Sequence, residues 1–185
     1  MGPNVNSDAP EFSIRESSLG NMAFVARAGR LIEFDISRKT EYEIRKQLVA
    51  RYPDATMSDK NFRMIYLLLD RYLRGQKVEF HIDVDLSGQR EFTRNILTEL
   101  RKVPYGQVIS YGGLARNAGY RNSARAAGQA CGKNPIPIII PCHRVINKDG
   151  SIGGFGMGSN FKKRLLAIEG IVFNKAAVRS FTGSR

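Results

Sequence analysis

A cysteine and a histidine stand side by side at Cys142 and His143, and such a pair can supply a nucleophile and a base. Three prolines that each fix one φ angle lie just before them: Pro135, Pro137 and Pro141. The β-branched run at 138–140 predicts a short buried strand leading into the cysteine. Neighbouring side chains on an extended backbone point to opposite faces, so the pair needs a turn or a water molecule to communicate. A lone cysteine is more often a small buried hydrophobe, so its partners elsewhere must decide its role.

The composition describes a globular chain of 185 residues with room for one or two small domains. No apolar run approaches the roughly 20 residues of a membrane span, and the N-terminal stretch contains no signal-peptide core. We therefore expect a reducing location, cytoplasmic or nuclear (nucleoid-associated in a prokaryote), where Cys131 and Cys142 stay free thiols. The chain has only two histidines, His81 and His143, which are too few for a Cys/His cage, so we expect no metal.

The net charge of +12 is distributed unevenly along the chain. Residues 1–81 carry +2, whereas residues 82–185, which contain the Cys-His pair, carry +10. This asymmetry favours a polyanionic partner, nucleic acid first. A basic surface that serves only solubility would give the same count.

The first half of the chain is typical of a small scaffold domain. We expect a disordered leader over residues 1–18, followed by a hairpin over 22–36. Thr40 and Glu43 form a capping-box pattern for a helix that ends before Pro53.

A second helix follows, with Ser58 as its predicted N-cap and Gly75 as its end. We then expect a strand at 78–82, and a linker at 83–89 because Ser-Gly interrupts that stretch. The scaffold domain would thus span residues 19–82. It contains no group of residues that indicates chemistry.

The second half, residues 90–172, begins with a helix whose predicted apolar face is Phe92, Ile96, Leu97, Leu100 and Val103. Ser110 then caps a short helix over 111–118, and Gly119 separates it from a helix over 122–132. Two short helices joined by a glycine-containing turn in a basic region are typical of a helix-turn-helix. The second helix has so little side-chain bulk that it could enter a narrow groove or pack closely on a neighbouring helix.

A glycine-rich loop over 153–158 precedes the last helix, for which we expect Ser159 as the N-cap. Its core residues would be Phe161, Leu165 and Ile168. Glu169 then lies in the last turn, where the helix dipole disfavours a carboxylate, so we expect it to have a cationic partner. Residues 173–185 form a basic tail.

Several of these residues together resemble one known family. Those that carry the resemblance by order and spacing are Tyr111, Arg125, Asn134 to Pro137, Pro141 to Arg144, and Glu169. The family is the O6-alkylguanine-DNA alkyltransferases, also called methylated-DNA-protein-cysteine methyltransferases, and the similarity covers residues 83–170. It implies an α+β protein: a small N-terminal α/β domain of RNase H-like fold, and a mostly helical C-terminal domain with a helix-turn-helix and a short active-site strand. The presence of Cys142 separates the chain from alkyltransferase-like relatives, which lack the acceptor cysteine.

The resemblance implies roles at the reacting centre. Cys142 would accept the alkyl group, His143 would act through a water molecule as its base, and Glu169 would hold the imidazole. Tyr111 would assist flipping of the target nucleotide and donate toward N3 of the leaving purine. Asn134 would be the hinge between the recognition helix and the active-site strand.

On the DNA side, Arg125 would enter the base stack from the minor groove and fill the space of the flipped guanine. The resemblance places the rest of the recognition helix against the DNA: Ser123, Ala124, Ala126, Ala127, Gly128 and Gln129. The backbone around Val145 and Gly156 would hydrogen-bond the purine. The other pocket residues would be Pro137, Phe155 and Met157.

Arg144 would support the structure rather than contact the substrate. The chain departs from the family in two places. Phe155 and Gly156 stand where many members carry Tyr-Ser, so a side-chain hydroxyl is lost there. The N-terminal half also lacks the Cys and His ligands with which some relatives bind zinc.

We thus expect a single-turnover repair protein that moves an alkyl group from O6 of guanine in double-stranded DNA to Cys142, with O4-alkylthymine as a further candidate substrate. It would act as a monomer, without a cofactor and away from membranes. Two alternatives stay open. A Cys-His-Glu hydrolase would use the same three groups for acyl transfer. A helix-turn-helix regulator would only bind DNA, although the alanines of the recognition helix offer no polar groups to read base edges.

Overall fold

The structure, a computed structural model, describes residues 8–173 and the backbone of 178–179. The chain divides into two compact units. The N-terminal unit contains the described residues up to Leu68 together with His81–Leu86, and the C-terminal unit contains Leu69–Phe80 and the residues from Ser87 onward. In the described part of the chain, no helix is both long enough and apolar enough to cross a membrane.

The N-terminal unit is built on a four-stranded sheet in the order β3-β2-β1-β4. Its strands are β1 (Glu11–Ser17), β2 (Gly20–Arg27), β3 (Arg30–Ser37) and β4 (Thr56–Met57). The first three are antiparallel, and β4 runs parallel to β1. Helix α1 (Glu41–Arg51) makes the crossover from β3 to β4, and the Thr40–Glu43 capping box predicted for it is present. The predicted hairpin is confirmed as β2 and β3.

Successive side chains of a strand point to opposite faces of the sheet, and both faces of this sheet carry buried apolar residues. One face packs on α1 through a single cluster of buried residues: Phe12, Ile14, Ala23, Val25, Ile44 and Leu48. The other face carries aromatic rings. Phe24 stacks on Phe34 with ring centroids 4.4 Å apart and meets the edge of Tyr66 at 5.1 Å.

The leader predicted over 1–18 is wrong from residue 11 onward, because residues 11–17 form β1. This strand pairs with β2 along its whole length and buries Phe12 and Ile14, whose alternation gives it an apolar face. Residues 1–7 lie outside the described part of the chain.

The strand predicted at 78–82 does not form, and the linker predicted at 83–89 is wrong at its start. Val84 makes a parallel bridge with Leu31, supported by bonds from the Leu31 amide to the Asp83 carbonyl (2.9 Å) and from the Asp85 amide to the Leu31 carbonyl (2.8 Å). Val84 and Leu86 are buried and belong to the N-terminal unit.

Helix α2 (Arg63–Leu73) follows a short 3-10 turn, Lys60–Phe62, and from Leu69 its residues belong to the C-terminal unit. Ser58 is not its N-cap, because the 3-10 turn that leads into the helix has Asp59 at its N-cap. The Ser58 amide donates to the Phe12 carbonyl at 2.9 Å. The predicted stop at Gly75 is confirmed, since this residue adopts a φ of 78° that favours glycine.

The C-terminal unit is mostly helical. Its further elements are α3 (Glu91–Leu100), β5 (Ile109–Ser110), α4 (Tyr111–Asn117), α5 (Ala124–Gly132), β6 (Val145–Ile146), α6 (Ser159–Ile168), β7 (Val172–Phe173) and β8 (Val178–Arg179). Helices α4 and α5 form the predicted pair joined by a turn at Gly119. Strands β5 and β6 pair in parallel. Apart from β7 and β8, the predicted basic tail at 173–185 lies outside the described residues.

The strand predicted at 138–140 is wrong. These residues form tight turns, in which the Ile139 amide bonds the Pro137 carbonyl and the Ile140 amide bonds the Ile136 carbonyl, both at 2.9 Å. Prolines on both sides leave few donors for a sheet partner, and Ile138 takes a φ of 69°, a costly conformation for a β-branched residue. The strand of this region, β6, follows the cysteine instead.

Two helix boundaries also differ from the predictions. Helix α3 ends at Leu100 and leaves Val103 outside, because a residue directly before proline is disfavoured from the helical region. The N-cap of α6 is Gly158 with a φ of 90°, and Ser159 is the first helical residue.

Candidate active site

Cys142 begins a 3-10 turn, Cys142–Arg144, that leads directly into β6. Cys142 is 8% exposed as a residue, and it and Cys131 are both free cysteines. The Asn134 side chain donates from Nδ2 to the Ile140 carbonyl at 2.7 Å and lies 3.1 Å from Cys142 Sγ. Its Oδ1 accepts from the Ile136 amide at 3.0 Å. Asn134 thus ties the end of α5 to the turns before the thiol and offers that thiol a donor.

Burial raises the pKa of Cys142, because a thiolate loses its hydration there. The donor on Asn134, the charge of Lys162 and nearby backbone amides act in the opposite direction. The buried thiol therefore needs a base and local positive charge before it becomes nucleophilic.

His143 lies against Glu169, with Nε2 2.6 Å from Oε1, and both side chains are fully buried. Burial lowers the pKa of His143, and Arg144 and Lys162 lower it further, while Glu169 raises it. The imidazole is thus neutral near neutral pH. An ionised carboxylate can only accept, so Nε2 carries the proton and Nδ1 keeps its lone pair. Nδ1 is the buried side-chain atom that has no hydrogen-bond partner among the described residues.

Glu169 occupies the C-cap of α6, and donors surround its carboxylate. Arg144 Nε and Nη2 reach Oε1 at 3.2 and 3.0 Å, Nε also reaches Oε2 at 2.9 Å, and the Gly106 amide reaches Oε2 at 3.0 Å. Burial alone would raise the pKa of Glu169, but the hydrogen bond from His143, followed by the hydrogen bonds and the charge of Arg144, lowers it to about 2. The predicted cationic partner is confirmed as Arg144, which also donates to the Val103 carbonyl at 2.6 Å.

Tyr72, near the end of α2, is a site residue that the sequence did not reveal. Its hydroxyl donates to Glu169 Oε1 at 2.8 Å and lies 3.3 Å from His143 Nε2. Burial and the Glu169 charge raise its pKa, so it keeps its proton. The spacing from Leu69 to Tyr72 indicates a buried helix face, but nothing in the sequence indicates a carboxylate partner. The first half of the chain is therefore more than a scaffold.

Lys162 is a second residue that the sequence analysis missed. It lies on α6 with 0% exposure, and its Nζ donates to the Val145 carbonyl and, at 3.4 Å, to the Gly154 carbonyl. Its ammonium also lies 5.9 Å from the centre of the Tyr111 ring. Burial lowers the pKa of Lys162 to about 8. A helical pattern of apolar residues predicts the buried face of α6 but not a cation on it.

Tyr111 is the first residue of α4, after the N-cap Ser110 that accepts from the Gly113 amide at 3.0 Å. Its hydroxyl lies 3.5 Å from the Gly154 carbonyl. A Cβ at Gly153 would come within 3.1 Å of this hydroxyl, so a larger residue there would displace the ring. Burial raises the pKa of Tyr111, and so do the neighbouring Cys131 and Cys142. A thiolate at Cys142 therefore disfavours ionisation of the Tyr111 hydroxyl.

Helix α5 presents part of its surface to solvent. Arg125, Ala124 and Gln129 are exposed, and Ser123, Ala126 and Gly128 are partly exposed. Ala127 is completely buried, so its side chain offers no accessible surface to DNA. One face of α5 packs against α3 and α4, which accounts for some of its alanines by helix packing.

The predicted pocket residues differ in accessibility. Pro137, Phe155 and Met157 are partly exposed and Gly156 is exposed, whereas the Val145 side chain is fully buried. Only the backbone of Val145 could therefore face a substrate, and its carbonyl already accepts from Lys162. The Phe155 ring stacks on Phe161 with centroids 6.2 Å apart, which fixes the loop before α6.

The site thus combines a buried cysteine, a histidine held by a carboxylate and an adjoining pair of helices. Residues 91–171 match the model of the 6-O-methylguanine DNA methyltransferase DNA-binding domain. The chain is 39% identical to the methylated-DNA–protein-cysteine methyltransferase of Archaeoglobus fulgidus over 132 residues, which cover 68% of this chain and 85% of that protein. It is 46% identical to the protein of the same name from Mycolicibacterium paratuberculosis over 101 residues, which cover 55% of this chain and 61% of that relative.

A solved structure agrees over more of the chain. The Mycobacterium tuberculosis OGT in complex with DNA superimposes with a TM-score of 0.74 and 31% identity, covering 86% of this chain and 92% of that one. The chain therefore belongs to the methylated-DNA–protein-cysteine methyltransferase family.

Proposed function

We propose that this protein repairs DNA by transferring the alkyl group of O6-alkylguanine to its own Cys142. The observation that carries the proposal is the arrangement around the thiol. Asn134 binds Sγ, and His143 is fixed on Glu169 with its Nδ1 lone pair unused. The names of the relatives and the DNA bound to the mycobacterial OGT support the same activity.

In the proposed reaction the thiol proton passes through a water molecule to Nδ1 of His143, and the thiolate attacks the alkyl carbon. The bond from that carbon to O6 breaks as the bond to sulfur forms. The purine leaves with the electron pair and takes up a proton, for which Tyr111 is the proposed donor. Glu169 stabilises the imidazolium that forms.

The product is an S-alkyl cysteine. A thioether has no thiolate-exchange route back to the thiol, in contrast to a disulfide. One molecule therefore repairs one lesion. O4-alkylthymine remains a candidate second substrate.

Recognition of duplex DNA is assigned to α5. The exposed Arg125 is proposed to enter the stack from the minor groove and replace the flipped guanine. The accessible small residues beside it, Ala124, Ala126 and Gly128, would let the helix approach the backbone closely. Pro137, Phe155, Met157 and the backbone at Val145 and Gly156 are proposed to hold the base.

The proposal extends to the fold and the location. The strand order of the N-terminal unit, with β4 parallel to β1, supports an RNase H-like arrangement. We place the protein as a monomer at its DNA, in the nucleus, the cytoplasm or the nucleoid.

Mass spectrometry tests the central claim. After mixing with duplex DNA that contains O6-methylguanine, we expect one added methyl group, on the peptide with Cys142. Cys142→Ala should remove transfer completely and leave DNA binding intact, because it deletes the nucleophile and no phosphate contact. Continued release of product without a stable adduct would instead support the hydrolase alternative.

A second measurement tests base flipping. Arg125→Ala should slow repair of duplex DNA about tenfold or more, because unstacking a base costs a few kcal/mol. The reaction with free O6-benzylguanine needs no flipping and should keep its rate. Arg94→Ala, which removes an exposed arginine from α3, serves as the control. Equal losses on both substrates would contradict the role of Arg125.

A further inference from the structure

Lys162 carries a buried charge that the proposed mechanism does not use. Its side chain is 0% exposed, and its Nζ donates to two backbone carbonyls, those of Val145 and Gly154. Among the residues that the structure describes, no carboxylate forms an ion pair with it. Burying an ammonium group without a counter-ion is unfavourable, so Lys162 is a poor way to stabilise a fold.

The position of this charge is set by the same turn that holds the thiol. The Val145 amide closes the 3-10 turn by donating to the Cys142 carbonyl, and the Val145 carbonyl accepts from Lys162. The ammonium is thereby anchored beside the residue that follows the active-site turn. Its second carbonyl partner, Gly154, also accepts from the hydroxyl of Tyr111.

The groups that face this ammonium are the two thiols, the Tyr111 ring and His143. The positive charge lowers the pKa of Cys142 and that of His143. Both effects suit a resting site in which the imidazole is a neutral base and the thiol gives up its proton readily.

We propose that Lys162 is a positioning residue whose buried positive charge favours the thiolate form of Cys142. The proposal deepens the proposed function, since it assigns the source of positive charge that the alkyl acceptor requires. Lys162 acts through the thiol and does not itself touch the alkyl group. The competing role is a structural clamp between the Val145 and Gly154 carbonyls.

The test follows the rate at which iodoacetamide modifies Cys142 as a function of pH, with the Cys142 peptide resolved from the Cys131 peptide by mass spectrometry. Lys162→Met should slow modification about tenfold at neutral pH and raise the apparent pKa of Cys142 by about one unit. Lys162→Arg keeps the charge and should restore most of the rate. Lys163→Met removes an exposed lysine from the same helix and should leave the profile unchanged.

Lys162→Gln separates charge from hydrogen bonding, because its amide can still donate to a carbonyl. We expect it to behave like Lys162→Met. An unchanged profile in a folded Met or Gln variant overturns the proposal. So does a failure of both neutral variants to fold while Lys162→Arg folds, because the lysine would then be structural.

Iodoacetamide requires neither DNA nor guanine, so this test is independent of the proposed function. If Cys142 accepts no methyl group from O6-methylguanine DNA, the proposed function fails, whereas the profile still reports the effect of the Lys162 charge. If the methyl group is transferred but the profile does not depend on Lys162, only the inference about Lys162 fails.

Discussion

Each unit of the molecule contains a group of hydrogen-bonded polar side chains that are buried, except for the exposed Asp59 of the N-terminal unit, and the two groups differ in one respect. In the N-terminal unit, Ser13 donates to Asp59 and lies 2.7 Å from the Tyr66 hydroxyl. Because Ser13 gives its single proton to Asp59, Tyr66 must be the donor to Ser13. Burial raises the pKa of Tyr66 to about 12, so this proton stays in place.

In the C-terminal unit, a similar network joins Tyr72, His143, Arg144 and Glu169, but His143 Nδ1 lacks a partner within the described residues. A buried polar atom without a partner costs free energy, and native structures retain few of them. The satisfied network is expected to stabilise the fold. The network whose unused lone pair belongs to the residue next to Cys142 in the chain is expected to carry chemistry.

Among substitutions within these two networks, the largest change should come from Glu169→Gln. The amide cannot support the imidazolium by charge, so alkyl transfer should slow about a hundredfold and the apparent pKa of Cys142 should rise. The rate of benzyl transfer from free O6-benzylguanine is measured as a function of pH. It is divided by the concentration of protein that has a reactive thiol. A profile identical to that of the unmodified protein would remove Glu169 from the catalytic group.

The same substitution also leaves Arg144 buried without its partner, which should destabilise the fold by about 3 kcal/mol. Glu169 has a folded pKa of about 2, below its ordinary value, so its stabilising contribution is present above pH 4.5. The contribution is lost as pH falls toward 2. The difference in unfolding free energy between the unmodified protein and the Glu169→Gln variant should therefore narrow in acid. A difference that widens in acid would contradict a lowered pKa of Glu169.

Ser13→Ala should lower the stability of the fold without slowing alkyl transfer. It removes the acceptor of Tyr66 in the N-terminal unit and should cost about 1–3 kcal/mol of stability, because a buried hydroxyl loses its partner. The rate of benzyl transfer per folded molecule should not change. Urea unfolding and the transfer assay together check this, and a slower transfer would end the distinction between the two networks.

The sequence predicts the elements with a strong local signal. The capping box at Thr40, the hairpin over 22–36 and the pair of helices before the active site have caps, turns or periodic apolar residues, and the structure contains them. The cationic partner of Glu169 follows from the dipole at a helix end, although its identity as Arg144 does not.

What the sequence does not predict depends on contacts between distant segments. The Tyr72–Glu169 bond joins residues 97 positions apart. The Lys162 ammonium is fixed by carbonyls, which have no side-chain signature. The strand predicted at 138–140 fails for a different reason, because β-branched propensity is outweighed by prolines that favour tight turns.

The smallest expected effect is that of Tyr72→Phe, which removes one tyrosine hydroxyl from the C-terminal network. Tyr66→Phe makes the same change in the N-terminal network. In Tyr72→Phe, Glu169 would lose one donor at Oε1 but keep those from His143, Arg144 and the Gly106 amide. Transfer should therefore slow only about threefold, a change that lies within the net free energy of one hydrogen bond. Tyr66→Phe, the matched control in the N-terminal unit, should lose comparable stability without any change in transfer rate. Rates with O6-benzylguanine and thermal unfolding of both variants provide the comparison. If both variants slow transfer equally, the loss reflects general loosening of the fold, and Tyr72 has no specific part in holding Glu169.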